Sequence, residues 1–129
     1  NYILENQIDI ELENSNIIVD NTLCEILAYS CWLKEYDILY TKAMVFLNIN
    51  PYDIIFYIPP ELDIQNDWLR HVDKNFQTII DNRIKQVLVK AKNLNKKLQI
   101  ITVTWWIKQR RNIVINSIIN NKNTTINCI

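Results

Sequence analysis

The chain has 129 residues, with 14 acids balancing 14 bases and apolar residues making up 49% of it. That is a length for one domain or most of one, and a composition that excludes a disordered chain. Its longest apolar runs, such as residues 54–60, are far too short to span a bilayer, and its start lacks the basic region of a signal peptide.

Residues 2–13 carry Ile3, Leu4, Ile8 and Leu12 at helical spacing, with acids on the other face. Asn14, Ser15 and Asn16 break that helix. Ile17, Ile18 and Val19 are a short β-branched run ending in Asp20, the pattern of a buried parallel strand with a carboxylate at its end. Asn21 or Thr22 then caps a helix reaching about Lys34, with Glu25 completing a capping box after Thr22. A further helix is expected over residues 37–48.

Pro51 ends it, and residues 52–58 are the strongest strand pattern in the chain, stopped by Pro59 and Pro60. A polar loop follows to about Asn66. From Val72 the spacing of Phe76, Ile79, Ile80, Ile84, Val87, Leu88 and Ala91 predicts a long helix. Residues 93–97 read as a turn, 98–104 as another strand and 106–119 as a last helix. The domain is placed at residues 1–120, with 121–129 a polar tail that frays.

Strands alternating with helices predict an α/β fold, a three-layer parallel sheet with helices on both faces. Ligands of such sheets bind beyond the carboxyl ends of the strands. That rule places Asp20, the loop from Pro59 to Arg70 and the turn from Thr104 to Arg110 on one rim. Asp20 there can hold magnesium through water or take a proton from a substrate hydroxyl, or it can cap the helix that follows. Arg70 can clamp a phosphate or pair with Asp67 or Asp73. His71, the only histidine, has no nucleophile or metal partner suggested by the sequence and reads as an exposed neighbour. Arg110 and Arg111 can reach a nucleotide or face solvent.

Cys24, Cys31 and Cys128 form no CxxC pair and have no histidine near them, which suits reduced thiols of a cytoplasmic protein better than disulfides or zinc. All 14 acids lie at or before Asp81, whereas ten bases from Arg83 to Lys122 face no acid in the sequence. The split marks an anion-binding half or two solvated faces that meet in the fold.

Several ordered segments resemble a family. They are Asp20-Asn21-Thr22 through Ala28-Tyr29, the run from Pro51 through Tyr52, Asp53 and Tyr57 to Pro59-Pro60-Glu61, Asn66-Asp67-Trp68-Leu69-Arg70-His71-Val72-Asp73, then Phe76 and Ile80-Asp81. Together with Ile101-Thr102-Val103-Thr104-Trp105-Trp106 and Arg110, they resemble the AAA-type ATPase domain of ribosylnicotinamide kinase and its P-loop kinase relatives. The resemblance implies an ATP-dependent phosphotransferase or ATPase using ATP and Mg2+ on a nucleoside- or nucleotide-like acceptor. By carry-over Asp20 is a catalytic or metal-holding carboxylate, Asp67 and Arg70 belong to a lid over the phosphates, and Arg110 and Trp105 lie near the adenine.

The chain departs from that family where phosphate would be held. It has no glycine, so it has no G-x-x-x-x-G-K-[ST] loop, and Trp68 and Trp105 stand where the family keeps glycine. The resemblance therefore implies a piece lacking its first strand, phosphate loop and first helix, inactive alone and prone to self-association through exposed apolar edges. Two other readings stand beside it. One is a degenerate, non-catalytic module of the same fold kept for binding or structure. The other is a nucleic-acid-binding domain that uses the ten late bases with Trp105 and Trp106.

Overall fold

The computed structural model describes residues 2–14, 16–60, 73–104 and 107–126. In chain order these form α1 (Tyr2–Glu13), α2 (Leu23–Tyr29), α3 (Tyr36–Ile49), β1 (Ile54–Tyr57), α4 (Lys74–Leu94), β2 (Gln99–Thr102) and α5 (Ile107–Ile126). β1 and β2 pair in parallel, from Ile54 opposite Gln99 to Tyr57 opposite Thr102. Backbone bonds from Gln99 N to Asp53 O (2.9 Å) and from Val103 N to Tyr57 O (2.8 Å) extend the ladder by one residue at each end.

Parallel strands cannot be joined by a hairpin, and here α4 is part of the crossover between them. Asp73 starts that helix, its carboxylate accepting from Asn75 N (2.8 Å) and Phe76 N (3.3 Å) and so satisfying two amides of the first turn. Lys92 ends it by donating to the carbonyls of Lys96 (2.9 Å) and Leu98. The buried side of α4 is the stripe Ile80, Val87, Leu88 and Ala91, with Ile84 half-buried. Phe76 and Ile79 depart from the expected pattern: both belong to its apolar spacing, yet Phe76 is 42% exposed and Ile79 is exposed too.

The core joins Leu4 of α1, Leu23, Cys24 and Leu27 of α2, and Leu39, Ala43, Phe46 and Leu47 of α3 to Ile55, to Leu98 and to Val87, Leu88 and Ala91 of α4. α2 is only seven residues long, too short to persist alone in water, and four of those residues are buried. Of the two expected caps, Asn21 and Thr22, it is Thr22 that caps α2, accepting from Glu25 N at 3.4 Å. Ile55 and its partner Ile100 face this core. Alternation along the strand turns Gln99 to the opposite face, where its amide donates to Asn121 Oδ1 of α5 (3.4 Å). Arg110, Ile113, Val114, Ser117, Ile118 and Asn121 form a half-buried stripe along α5 at helical spacing. Asn121, on that half-buried side, is where α5 meets the second face of β2. The helix continues to Ile126, beyond the expected end at residue 119.

The expected three-layer parallel sheet is overturned. Among the described residues the chain is mostly helical, and its sheet has two strands. Residues 17–19, read as a buried strand, pair with nothing in that sheet, and Ile18 is 90% exposed. Asn16 (φ 59°) and Asn21 (φ 69°) bend the chain through the left-handed region on either side of the run. A chain without glycine uses asparagine there, the residue that tolerates this conformation best after glycine. Three β-branched residues between two such bends link α1 to α2, and among the described residues no strand pairs with them.

Leu27→Ala is expected to lower the free energy of unfolding by about 2–5 kcal/mol, because it leaves a hole between packed helices. Ile18→Ala should change it by less than about 0.5 kcal/mol, as an exposed site does. Urea denaturation of the two variants measures both, and an equal cost at Ile18 would show that residues 17–19 are packed after all.

Candidate functional site

The direction of each element decides which expected site residues meet. α2 begins at the amino end of the strands, because Leu23 N donates to the hydroxyl of Tyr52 (3.1 Å), two residues before β1. It ends at the carboxyl end, where the Tyr29 ring meets Phe76 in the first turn of α4. Asp20, three residues before Leu23, therefore lies at the amino end of the sheet. Arg110, in the first turn of α5 just after β2, lies at the carboxyl end, half-buried and engaged in an interaction. The shared rim proposed for them does not form, because the strand that was to carry Asp20 there is absent. Asp20 is exposed, and its charge lies close enough to Glu25 to add to burial in raising that carboxyl above its ordinary range. It caps nothing, since Thr22 holds that position. Asp67, Arg70, His71, Trp68, Trp105 and Trp106 lie outside the described residues.

Two polar clusters tie the elements together. At the amino end, Tyr52 Oη donates to Glu11 Oε1 (2.9 Å) while accepting from Leu23 N, and Gln7 Nε2 donates to the same carboxylate oxygen (2.8 Å). One phenol thus joins α1, α2 and the start of β1. Burial pushes its ionisation well above the usual phenol range, and the carboxylate of Glu11 adds to that. Beside it the buried Cys24 thiol is pushed up to about 12, chiefly by burial. At the carboxyl end of β1, Tyr57 Oη donates to Asp81 Oδ1, Lys85 Nζ pairs with Asp81 Oδ2 (2.6 Å) and the same ammonium sits 5.8 Å from the Tyr57 ring centre.

Both clusters suit structure better than chemistry. Burial, then Asp81, raise the Tyr57 phenol above its ordinary range, which favours its neutral form, and its proton is already committed to Asp81. Cys24 is held as the thiol, the unreactive form. Among the described residues no group of three or more His, Cys, Asp or Glu side chains is placed to hold a metal ion, so Asp20 has no companion ligands there. A depression on α5, lined by Gln109, Asn112, Ile113 and Asn116, is open to solvent and contains no ionisable group. No helix among the described residues is long and apolar enough to cross a membrane.

What the structure does assemble is an aromatic surface that sequence reading missed. Trp32, in the turn after α2, stacks on Phe76 with ring centres 5.5 Å apart and planes 17° apart. Tyr29 tilts against the same ring at 6.4 Å. All three are exposed, Trp32 by 57%, and Ile79 lies one turn along α4 from Phe76. The sequence signal was that Phe76 and Ile79 extend the α4 apolar pattern into the first turns of the helix, ahead of Ile80, the first residue it buries.

Cys24 is expected to resist alkylation in the native protein at pH 8 while the half-exposed Cys31 is modified, as read by peptide mass mapping. The folded thiol ionises higher than an unfolded one, so the unfolded state loses its proton first as pH rises. Stability should therefore be independent of this group below about pH 8.5 and then fall by about 1.4 kcal/mol per pH unit towards pH 12. Cys24→Ser should remove that slope, and rapid native labelling of Cys24 would contradict its burial.

Comparison with known proteins gives no family model, curated protein or solved structure that matches this chain. The likeness to P-loop kinases therefore rests on the quoted residues alone, without the sheet that would align them.

Proposed function

We propose that this chain is a non-catalytic protein-interaction module that docks a partner through the surface built from Tyr29, Trp32 and Phe76. This keeps the binding-module reading and drops the nucleotide-kinase fold attached to it. The observation that carries it is the stacked Trp32–Phe76 pair, left open to solvent beside a core that buries smaller side chains completely. Large exposed apolar surfaces mark interaction sites, and Trp and Tyr dominate binding hot spots because a rigid ring loses little rotamer freedom on docking.

The kinase reading is less well supported, since Asp20 and Arg110 sit at opposite ends of the strand pair. Nucleic-acid binding has less support as well. Single strands need rings and cations together. Here Lys34 and Lys74 fall within two residues of Trp32 and Phe76, with the Asp73 carboxylate beside them, whereas Lys90, Lys96 and Lys97 lie at the far end of α4 or just beyond it. Two free cysteines among the described residues suit a reducing, cytoplasmic setting.

A photo-crosslinking residue placed at Trp32 in the producing cells should trap a discrete protein that the same residue at Lys90 does not. Binding of that protein, once purified, should weaken at least tenfold on Trp32→Ser, about 1.4 kcal/mol or more. Equal labelling at both positions would overturn the proposal. So would binding of a single-stranded oligonucleotide at the same rings that weakens steeply with salt.

A further inference from the structure

The two outer helices carry unpartnered faces of opposite charge. α1 turns Leu4, Gln7, Ile8 and Glu11 inward, which leaves Tyr2, Ile3, Asn6, Asp9, Ile10 and Glu13 on one outer face. Ile3 is 71% exposed there. α5 keeps its half-buried stripe on one side and leaves Lys108, Arg111, Asn112, Ile115 and Ile119 exposed on the other, with Ile119 50% exposed. Among the described residues Asp9, Glu13, Lys108 and Arg111 enter no ion pair. Glu5, the other acid on the exposed side of α1, is already held by Lys42 at 2.7 Å.

Both faces are also set against their own helix dipoles. A helix favours bases in its last turn and acids in its first. α1 has no base in its last turn and ends on Glu13, while α5 has no acid in its first turn and carries Lys108 there. Each arrangement is unfavourable within its own helix, and each is relieved by the other helix lying alongside in the reverse direction.

We infer that a second copy of this chain covers these faces, with α1 of one molecule lying antiparallel against α5 of the next. The spacing supports one register. At about 1.5 Å rise per residue, Asp9 stands about 6 Å from Glu13, and Arg111 about 4.5 Å from Lys108. With Glu13 set opposite Lys108, Asp9 falls beside Arg111. Ile3, about 15 Å along α1, then falls beside Ile119, about 16.5 Å along α5. Two ion pairs at one end and an isoleucine contact at the other close the seam. The chain's zero net charge leaves no overall repulsion to oppose the contact. This surface is separate from the Trp32–Phe76 rings.

Sedimentation velocity of the whole chain tests it. Association should rise with protein concentration at low salt and weaken as salt increases, because the ion pairs sit at the rim of the contact. Asp9→Lys with Glu13→Lys should weaken self-association by about tenfold or more, and so should Lys108→Glu with Arg111→Glu. Mixing the two reversed proteins restores complementary faces and should restore association, and all four substitutions in one chain should do the same. Circular dichroism of each variant should match the parent, since every changed side chain is exposed. Trp32→Ser should leave this association intact. A monomer at every concentration in low salt would overturn the inference, as would association that survives both reversals or a mixture of the reversed proteins that stays monomeric.

Discussion

The buried stripe of α4 is what the other elements depend on. Val87, Leu88 and Ala91 lie in the same core as Leu23, Cys24 and Leu27 of α2, Leu39 and Phe46 of α3, and Ile55 of β1. None of those partners is stable alone. A seven-residue helix is below the length that persists in water, and two four-residue parallel strands do not hold a sheet without a covering layer. Leu23 and Leu27 of α2 each contribute about 1.5–3 kcal/mol because α4 closes over that helix.

The polar contacts refine what that packing permits. Tyr52 reaches α1 and α2 together, with its hydroxyl serving both as donor to Glu11 and acceptor from Leu23 N. The position of Leu23 then sets the direction of α2, and this direction separates Asp20 from Arg110. The half-buried phenol of Tyr52 thus helps to fix which ionisable groups share an end of the molecule. The same direction delivers Tyr29 and Trp32 to Phe76, so the aromatic surface and the failure of the expected rim have a common cause.

The charge split follows a similar logic. Part of the basic half is spent locally, with Lys85 on Asp81 and Lys92 on carbonyls after α4. The α5 cations Lys108 and Arg111 stay on an outer face, as do Asp9 and Glu13 of α1. The even overall balance thus includes two faces of opposite charge on separate helices, an arrangement that suits docking between molecules better than a pocket for a small anion.

The linear pattern contained most of the helices and both strands. α1 spans the residues its spacing predicted, α3 and α4 fall within about two residues of expectation, and the strands sit inside the apolar runs that announced them. Helical period, the Thr22 cap and the Pro51 and Pro59 stops are local signals, and local signals survive in the sequence. The role of residues 17–19 was not local: a three-residue β-branched run becomes a strand only if another strand lies beside it, and the bends at Asn16 and Asn21 carry it elsewhere. The exposure of Phe76 and Ile79, the separation of Asp20 from Arg110 and the meeting of Trp32 with Phe76 were likewise decided by tertiary structure. Each depends on the direction in which whole helices lie across the strand pair, and that direction comes from summed burial over residues far apart in the chain.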